Sequence, residues 1–464
     1  MPSLLSRLRL MSIRLAYVGY CTATKVRQWP SVALDSRPRF LSDETSRPAA
    51  GGLYAIVVKY ARFGLTSDFM ALLDALERAG VNAIVVCNGR LSPGEHDRLL
   101  ERAHRVLVRR NVGRDMGAYR AASLHLHAQG LRPQRVLYFN DSIFYLKGER
   151  LDALVRDLCG GAFDVTGAFE NHEKAHHLGS YALSVGGRVF GHRHVQQFWQ
   201  RYRPYDLRPH AILHGEVGLS ACLKRCGFTI DVVYGAEKLV RRLHALDLRT
   251  LMSMINVMRP AFRLQPLDHL VAQSMSALRL IEPLSVSEPV VAVRAPAVDD
   301  AAAAAPDAAA RPALEPSAAP TLGNYRAARK AQLAQQCKAA DEARRAQSSQ
   351  AAQAAAVTLV ADNRLTVEMA ESLARQALID RLMLEVTQGS QVHLGFGLFR
   401  TLMGCPIVKR DLIARDIYLE HDCEMLMSDV DADTRAMVVR ALINRGRPMF
   451  VQGRRRFLLD HGLV

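Results

Sequence analysis

The chain has 464 residues, 61 Lys and Arg against 45 Asp and Glu, and a formal net charge of +16. Its 49% hydrophobic content suffices for two or three domains with real cores, and no window holds the ~18 uninterrupted apolar residues of a membrane span. The positive surface attracts anions such as nucleotide-sugar phosphates and acidic lipid; nucleic acid drops out as a partner, because the arginines are scattered and no recognised motif accompanies them.

Residues 1–50 read as a basic leader. Arg7, Arg9, Arg14, Lys25 and Arg27 appear among the first thirty residues with no acid. Leu4, Leu8, Met11 and Leu15 recur at helical spacing, so one apolar stripe beside those cations would suit an anionic inner leaflet; a poorly ordered leader is the equal alternative. No secretory signal is evident, and the eight cysteines form no C-x-x-C pair. Reduced thiols and a cytoplasmic location, peripheral on the inner membrane, follow as the expectation.

Residues 51–283 alternate strands and helices. Strands are expected at Leu53–Tyr60, Asn82–Cys87, Arg105–Arg109, Gln134–Asn140, Ala162–Ala168, Tyr181–Val185 and Phe228–Tyr234. Helices fall between them, around Ser67–Ala79, after Ser92-Pro93-Gly94-Glu95, over Asp115–Ala128, Val195–Tyr202 and Glu216–Cys226. Strands alternating with helices of that length predict an α/β fold built on a parallel sheet. Residues 284–321, rich in Ala and Pro with a five-alanine run, read as a disordered linker. Residues 322–357 read as a solvated helix, and 358–464 as a C-terminal helical module.

Three segments carry chemistry. Arg135–Asn140 ends in Asn140-Asp141-Ser142, and a carboxylate at the end of a buried strand is where open α/β sheets keep ligand sites. Asp141 could hold Mg²⁺ or Mn²⁺, with Asn140 and Ser142 adding hydrogen bonds; the same three residues are also ordinary turn and cap chemistry. The loop Asn111-Val112-Gly113-Arg114-Asp115 offers glycine for close backbone approach and Arg114 for a phosphate, although Arg114 beside Asp115 also reads as an internal salt bridge. Glu216 opens a helix on its buried face, which suits general-base work, while an acid in a first helical turn also suits the helix dipole. Histidines cluster from His172 to His214; zinc on His172 with His176, or on His192 with His194, lacks an acidic or cysteine companion at ligand spacing, so surface or core roles are favoured. Cys222 and Cys226, four apart on one helix face, read as core.

Taken in order, these pieces resemble the rhamnan synthesis protein F family of bacterial polysaccharide glycosyltransferases. The resemblance is carried by Tyr54–Tyr60 with Gly64, Asn111–Gly117, Leu137–Ser142, His177-Leu178-Gly179-Ser180-Tyr181, Phe198-Trp199 and Gly215–Ser220, and by Gly404–Leu412 beyond the linker. It departs from the family at Lys59 for a usual His, at Tyr145-Leu146 for Gly-Pro, at Val165-Thr166-Gly167 for Phe-Trp-Gly, and at Gly179 for Gln.

The resemblance implies a GT-A-like, Rossmann-type, mostly parallel sheet flanked by helices, and a transferase that moves a sugar from a nucleotide-sugar donor. Rhamnose from dTDP-rhamnose leads, with a growing cell-surface polysaccharide such as O-antigen or capsule, or a lipid-linked glycan, as acceptor. It further implies a divalent cation on Asp141, Glu216 as the catalytic base, and donor contacts at Tyr60, Asn111, Gly113, Arg114, Asp115, Asn140, Ser142, His177, Ser180 and Tyr181. The alternative is a non-catalytic carbohydrate- or lipid-carrier-binding assembly protein of the same fold.

Overall fold

The computed structural model describes residues 4–35, 37–172, 174–263 and 367–445. The expected linker at 284–321 and solvated helix at 322–357 lie outside the described residues.

A single eight-stranded sheet organises the chain. Its strands are β1 (Ser42–Thr45), β2 (Leu53–Tyr60), β3 (Asn82–Asn88), β4 (Arg105–Arg109), β5 (Arg135–Asn140), β7 (Val165–Gly167), β10 (Ala182–Gly186) and β11 (Ile230–Val232), ordered β1-β4-β3-β2-β5-β10-β7-β11. Four short strands stand apart: β6 (Ile143–Tyr145), β8 (Glu170–Asn171), β9 (His177–Leu178) and β12 (Ile407–Lys409). β2, β3, β4 and β5 are mutually parallel, and β11 is parallel to β7. β1 pairs antiparallel with β4, and β10 is antiparallel to both β5 and β7. The sheet is therefore mostly parallel but mixed. β10 arrives without a crossover helix of its own, and an antiparallel return is what a short connection allows.

The parallel centre is buried on both faces. Ala55, Ile56, Val57 and Val58 of β2, and Val85 and Val86 of β3, are fully enclosed, which is why these strands read as continuous apolar runs. Helices Ser67–Arg78, Arg114–Ala128, Glu149–Cys159, Arg193–Arg201 and Val217–Arg225 flank the sheet. The helix Pro93–Leu100 begins with a capping box between Ser92 and Glu95, as its sequence suggests.

The basic leader is a helix, Leu4–Leu34. Asp35, just beyond it, lies 3.5 Å from Arg109 and 3.4 Å from Arg120, and Gln28 accepts the Asp206 N–H at 2.7 Å. Met11, Leu15, Val18, Val26 and Trp29 remain exposed.

The C-terminal part is helical, as expected, through Gln391–Leu394, Phe396–Met403, Glu420–Leu426 and Ala432–Asn444. It also supplies β12, which pairs antiparallel with β6 in the register Ile407–Tyr145 to Lys409–Ile143. Residues 379–445 consequently share one compact unit with residues up to 262, around a second core that includes Phe144, Leu146, Phe396, Val408, Leu412 and Tyr418.

Candidate active site

From β2 the chain steps through β3 to β4 on one side, then crosses back to β5 on the other. In open α/β sheets the crevice beyond the carboxyl ends of the strands, where this order reverses, is the ligand site. Tyr60, Asn88, Arg109 and Asn140 close β2, β3, β4 and β5 on that edge.

Arg109 is buried and supports the adjacent loop from below. Its guanidinium donates to Asn88 Oδ1 at 3.0 Å and to the Val112 carbonyl at 3.2 Å, while Asn88 Nδ2 reaches the Arg114 carbonyl. Gly113 and Arg114 then take left-handed conformations in succession, with φ of 76° and 56°. Gly113 is required twice over, since a Cβ there would also lie 2.3 Å from Pro204. Strain in a non-glycine residue such as Arg114 persists only where its surroundings impose it. The close approach foreseen for this loop is thus made to its own chain. Arg114 pairs with Asp206 at 3.4 Å.

Asn140-Asp141-Ser142 is held by contacts within the protein. Asn140 is buried, and its Oδ1 accepts from both the Ser142 N–H and the Ser142 hydroxyl. Asp141 is also buried; its Oδ2 accepts from Lys59 Nζ at 2.8 Å and from the Tyr60 N–H at 2.9 Å. An ammonium already neutralises this carboxylate. One oxygen of Asp141 is thus taken by an ammonium and a backbone N–H, and the divalent-cation role expected of it would have only the other oxygen to draw on.

Glu216 ends a π-helical turn, Ala211–Glu216, that runs directly into the helix Val217–Arg225. Wide turns of this kind often mark functional positions. Gly215 lets the turn pack closely on the helix Arg114–Ala128, for a Cβ there would meet Met116 at 2.8 Å. Ser180 Oγ donates to Glu216 Oε1 at 2.5 Å, and His177 Nε2 lies 3.7 Å from Oε2. Asn111 and Tyr60 hydrogen-bond each other at 3.3 Å on the rim.

Asp115 joins these pieces. Its carboxyl is held up to about 7, first by burial, then by the negative charges of Asp141 and Glu216, against the opposing pull of Arg114 and Lys409. The negative charges of Asp141 and Glu216, from two other segments, thus both reach Asp115.

Lys409 and Arg208 were absent from the sequence-based site. Lys409 ends β12 opposite Ile143, two residues past Asp141, with its ammonium 4.2 Å above the Tyr181 ring. Burial lowers its proton affinity, with Arg208 adding to the effect and Asp411, Glu216 and Asp115 opposing it. Arg208 is likewise shifted down, to about 10, mainly by burial. Asp411 bonds His393 at 2.8 Å; burial alone would raise its carboxyl, but His393, Lys409 and Arg415 hold it far below the usual range. The one sequence signal for this contribution is the Gly404–Leu412 segment.

The histidine clusters also gain partners that spacing hides. Glu170 Oε2 lies 2.8 Å from His176 Nε2, and Cys226 Sγ lies 3.8 Å from His194 Nδ1. All seven described cysteines are free thiols, and no described helix is long and apolar enough to cross a membrane.

The sequence model for rhamnan synthesis protein F matches residues 83–285, which is the family the motifs resemble. An uncharacterized protein, y4gN, from Sinorhizobium fredii is 26% identical over 218 residues, 46% of this chain and 56% of that protein. The chain thus spans little more than half the length of this curated relative. Among solved structures, a protein described as a nucleotide-diphospho-sugar transferase from Desulfovibrio desulfuricans aligns over 39% of this chain and 80% of its own, at 11% identity and a TM-score of 0.24. A mannosyltransferase from Pyrobaculum calidifontis, solved with GDP-Man and Mn²⁺, aligns over 48% and 65% at 9% identity, also with a TM-score of 0.24. Superpositions this loose carry no argument about the site.

Proposed function

We propose, with the match of residues 83–285 to rhamnan synthesis protein F as premise, that this chain is a nucleotide-diphospho-sugar-dependent glycosyltransferase. The carrying observation is the gathering of Asp115, Asp141 and Glu216 with Arg114, Arg208 and Lys409 at the reversal of strand order. Such a grouping of charges suits a sugar diphosphate, with cations for the leaving group and carboxylates for the acceptor.

In this reading an acceptor hydroxyl attacks the anomeric carbon while its proton passes to Glu216, which Ser180 and His177 orient. The bond from the anomeric carbon to the diphosphate oxygen breaks, and the nucleoside diphosphate leaves against Arg114, Arg208 and Lys409. The buried Lys59 ammonium fixes Asp141 and adds positive charge at the switch point. Tyr60, Asn111 and Tyr181 line the donor side. The family description favours rhamnose as the transferred sugar and a cell-surface polysaccharide such as O-antigen or capsule as the product. The exposed stripe Met11, Leu15 and Val18 on a basic helix suits peripheral contact with anionic lipid, where a lipid-linked acceptor resides.

The paired state of Asp141 also favours a second reading, a binding protein of polysaccharide assembly that retains the fold without turnover. Incubating the full chain with a panel of nucleotide-sugars and lipid-linked acceptors tests both. Release of nucleoside diphosphate with glycan extension supports the transferase; tight donor binding with no release supports the second reading. No binding of any nucleoside diphosphate or nucleotide-sugar overturns the transferase and leaves the second reading, with a carbohydrate or lipid carrier as its ligand.

A further inference from the structure

A second cluster of side chains lies on the helices Arg193–Arg201 and Val217–Arg225. His192 caps the N-terminus of the helix Arg193–Arg201, and His194 sits in its first turn, the two rings 5.3 Å apart. Cys226 caps the C-terminus of the helix Val217–Arg225. One donor atom from each of His192, His194 and Cys226 lies within 4.8 Å of the others, and Cys226 Sγ is 3.8 Å from His194 Nδ1. Ligands at the usual zinc–nitrogen and zinc–sulfur distances stand about 3.3–3.6 Å apart in a tetrahedral site, so closure needs about 1 Å of side-chain movement. His192 Nδ1 is buried with no hydrogen-bond partner among the described residues. The Cys222 thiol, one turn before Cys226, donates a hydrogen bond to the His194 carbonyl at 3.6 Å. The cluster opens on a cavity of about 790 Å³ lined by His194, Cys222 and Cys226, which gives an ion a path in.

We infer that His192, His194 and Cys226 form a binding site for one zinc-class divalent cation, joining the start of one helix to the end of the other. Two imidazoles and a thiolate are a donor set for a borderline-soft ion and a poor one for Mg²⁺ or Mn²⁺. The other histidine cluster, Glu170 with His172 and His176, is committed elsewhere: Lys224 Nζ bonds His176 Nδ1, and Glu170 bonds both His176 and the Ala236 N–H. An ammonium in contact with a ligand imidazole opposes a second cation.

The full chain, stripped with chelator, is titrated with Co²⁺ as the probe. One equivalent is expected to bind with a thiolate-to-cobalt charge-transfer band in the near ultraviolet, and Zn²⁺ is expected to displace it. Cys226→Ser loses the band. His194→Asn weakens binding by at least the ~10–100-fold that loss of even an outer-shell partner costs. His176→Ala leaves band and stoichiometry unchanged. Circular dichroism of each apo variant keeps a folding defect distinct from a lost ligand. Absence of the band in the folded wild-type chain, its survival in Cys226→Ser, or its loss in His176→Ala overturns the site.

Discussion

The Lys59 ammonium lies 2.8 Å from Asp141 Oδ2, and both side chains are buried where the sheet reverses its strand order. Each charge is tolerable there only because of the other. Lys59→Met therefore leaves an unpaired buried carboxylate and should destabilise the chain by about 3–5 kcal/mol in urea melts. Lys59→Met combined with Asp141→Leu should recover most of that loss, and additive losses in the double variant would show that the two groups do not interact.

Because that ammonium occupies the carboxylate, sugar transfer should proceed without added Mg²⁺ or Mn²⁺. Initial rates measured before and after adding either ion to the metal-free assay should agree. A strict requirement for one of them would return Asp141 to a ligand role.

Glu216→Gln keeps the shape and removes the proton acceptor, so kcat should fall by about 10²–10⁴-fold with the fold unchanged. Ser180→Ala, which loosens the orientation of Glu216 without removing it, should cost less. Turnover of the Gln variant at the native rate would exclude Glu216 as the base.

Asp115 carries a pH signature. Its native carboxyl binds a proton more tightly than an unfolded aspartate, so the folded state holds more protons between about pH 4 and the native value of about 7. Stability from this group falls as pH rises through that window and is lowest above it. Asp115→Asn should consequently stabilise the chain, by on the order of 1–2 kcal/mol above neutral pH after solvent screening, with no gain at pH ~4. Thermal melts across that range check the sign, and a pH-independent effect would count against a shifted Asp115.

The helix Leu4–Leu34 should bind anionic vesicles and ignore neutral ones, with binding weakened by salt. Leu15→Asp with Val18→Asp should abolish co-sedimentation; equal binding by this variant would assign the attraction to charge alone.

Local pattern made the sheet legible. The apolar runs of β2, β3, β4 and β5 are buried on both faces, so their composition alone marks them as parallel strands, and their ends fall within a residue of expectation. The carboxylates Asp115, Asp141 and Glu216 were visible as well, since each ends a strand or opens a helix. What sequence could not supply was partnership. Lys59 and Asp141 are 82 positions apart, His194 and Cys226 are 32 apart, and Lys409 reaches the Tyr181 ring only because β12 pairs with β6 across more than 260 residues. A period of two or 3.6 fixes which face a side chain takes, and nothing about which distant face it meets. Whether Asp141 holds a metal or an ammonium, and whether two histidines find a thiol, is decided by tertiary contact, because charge and ligation act over a few ångströms of space whatever the separation along the chain.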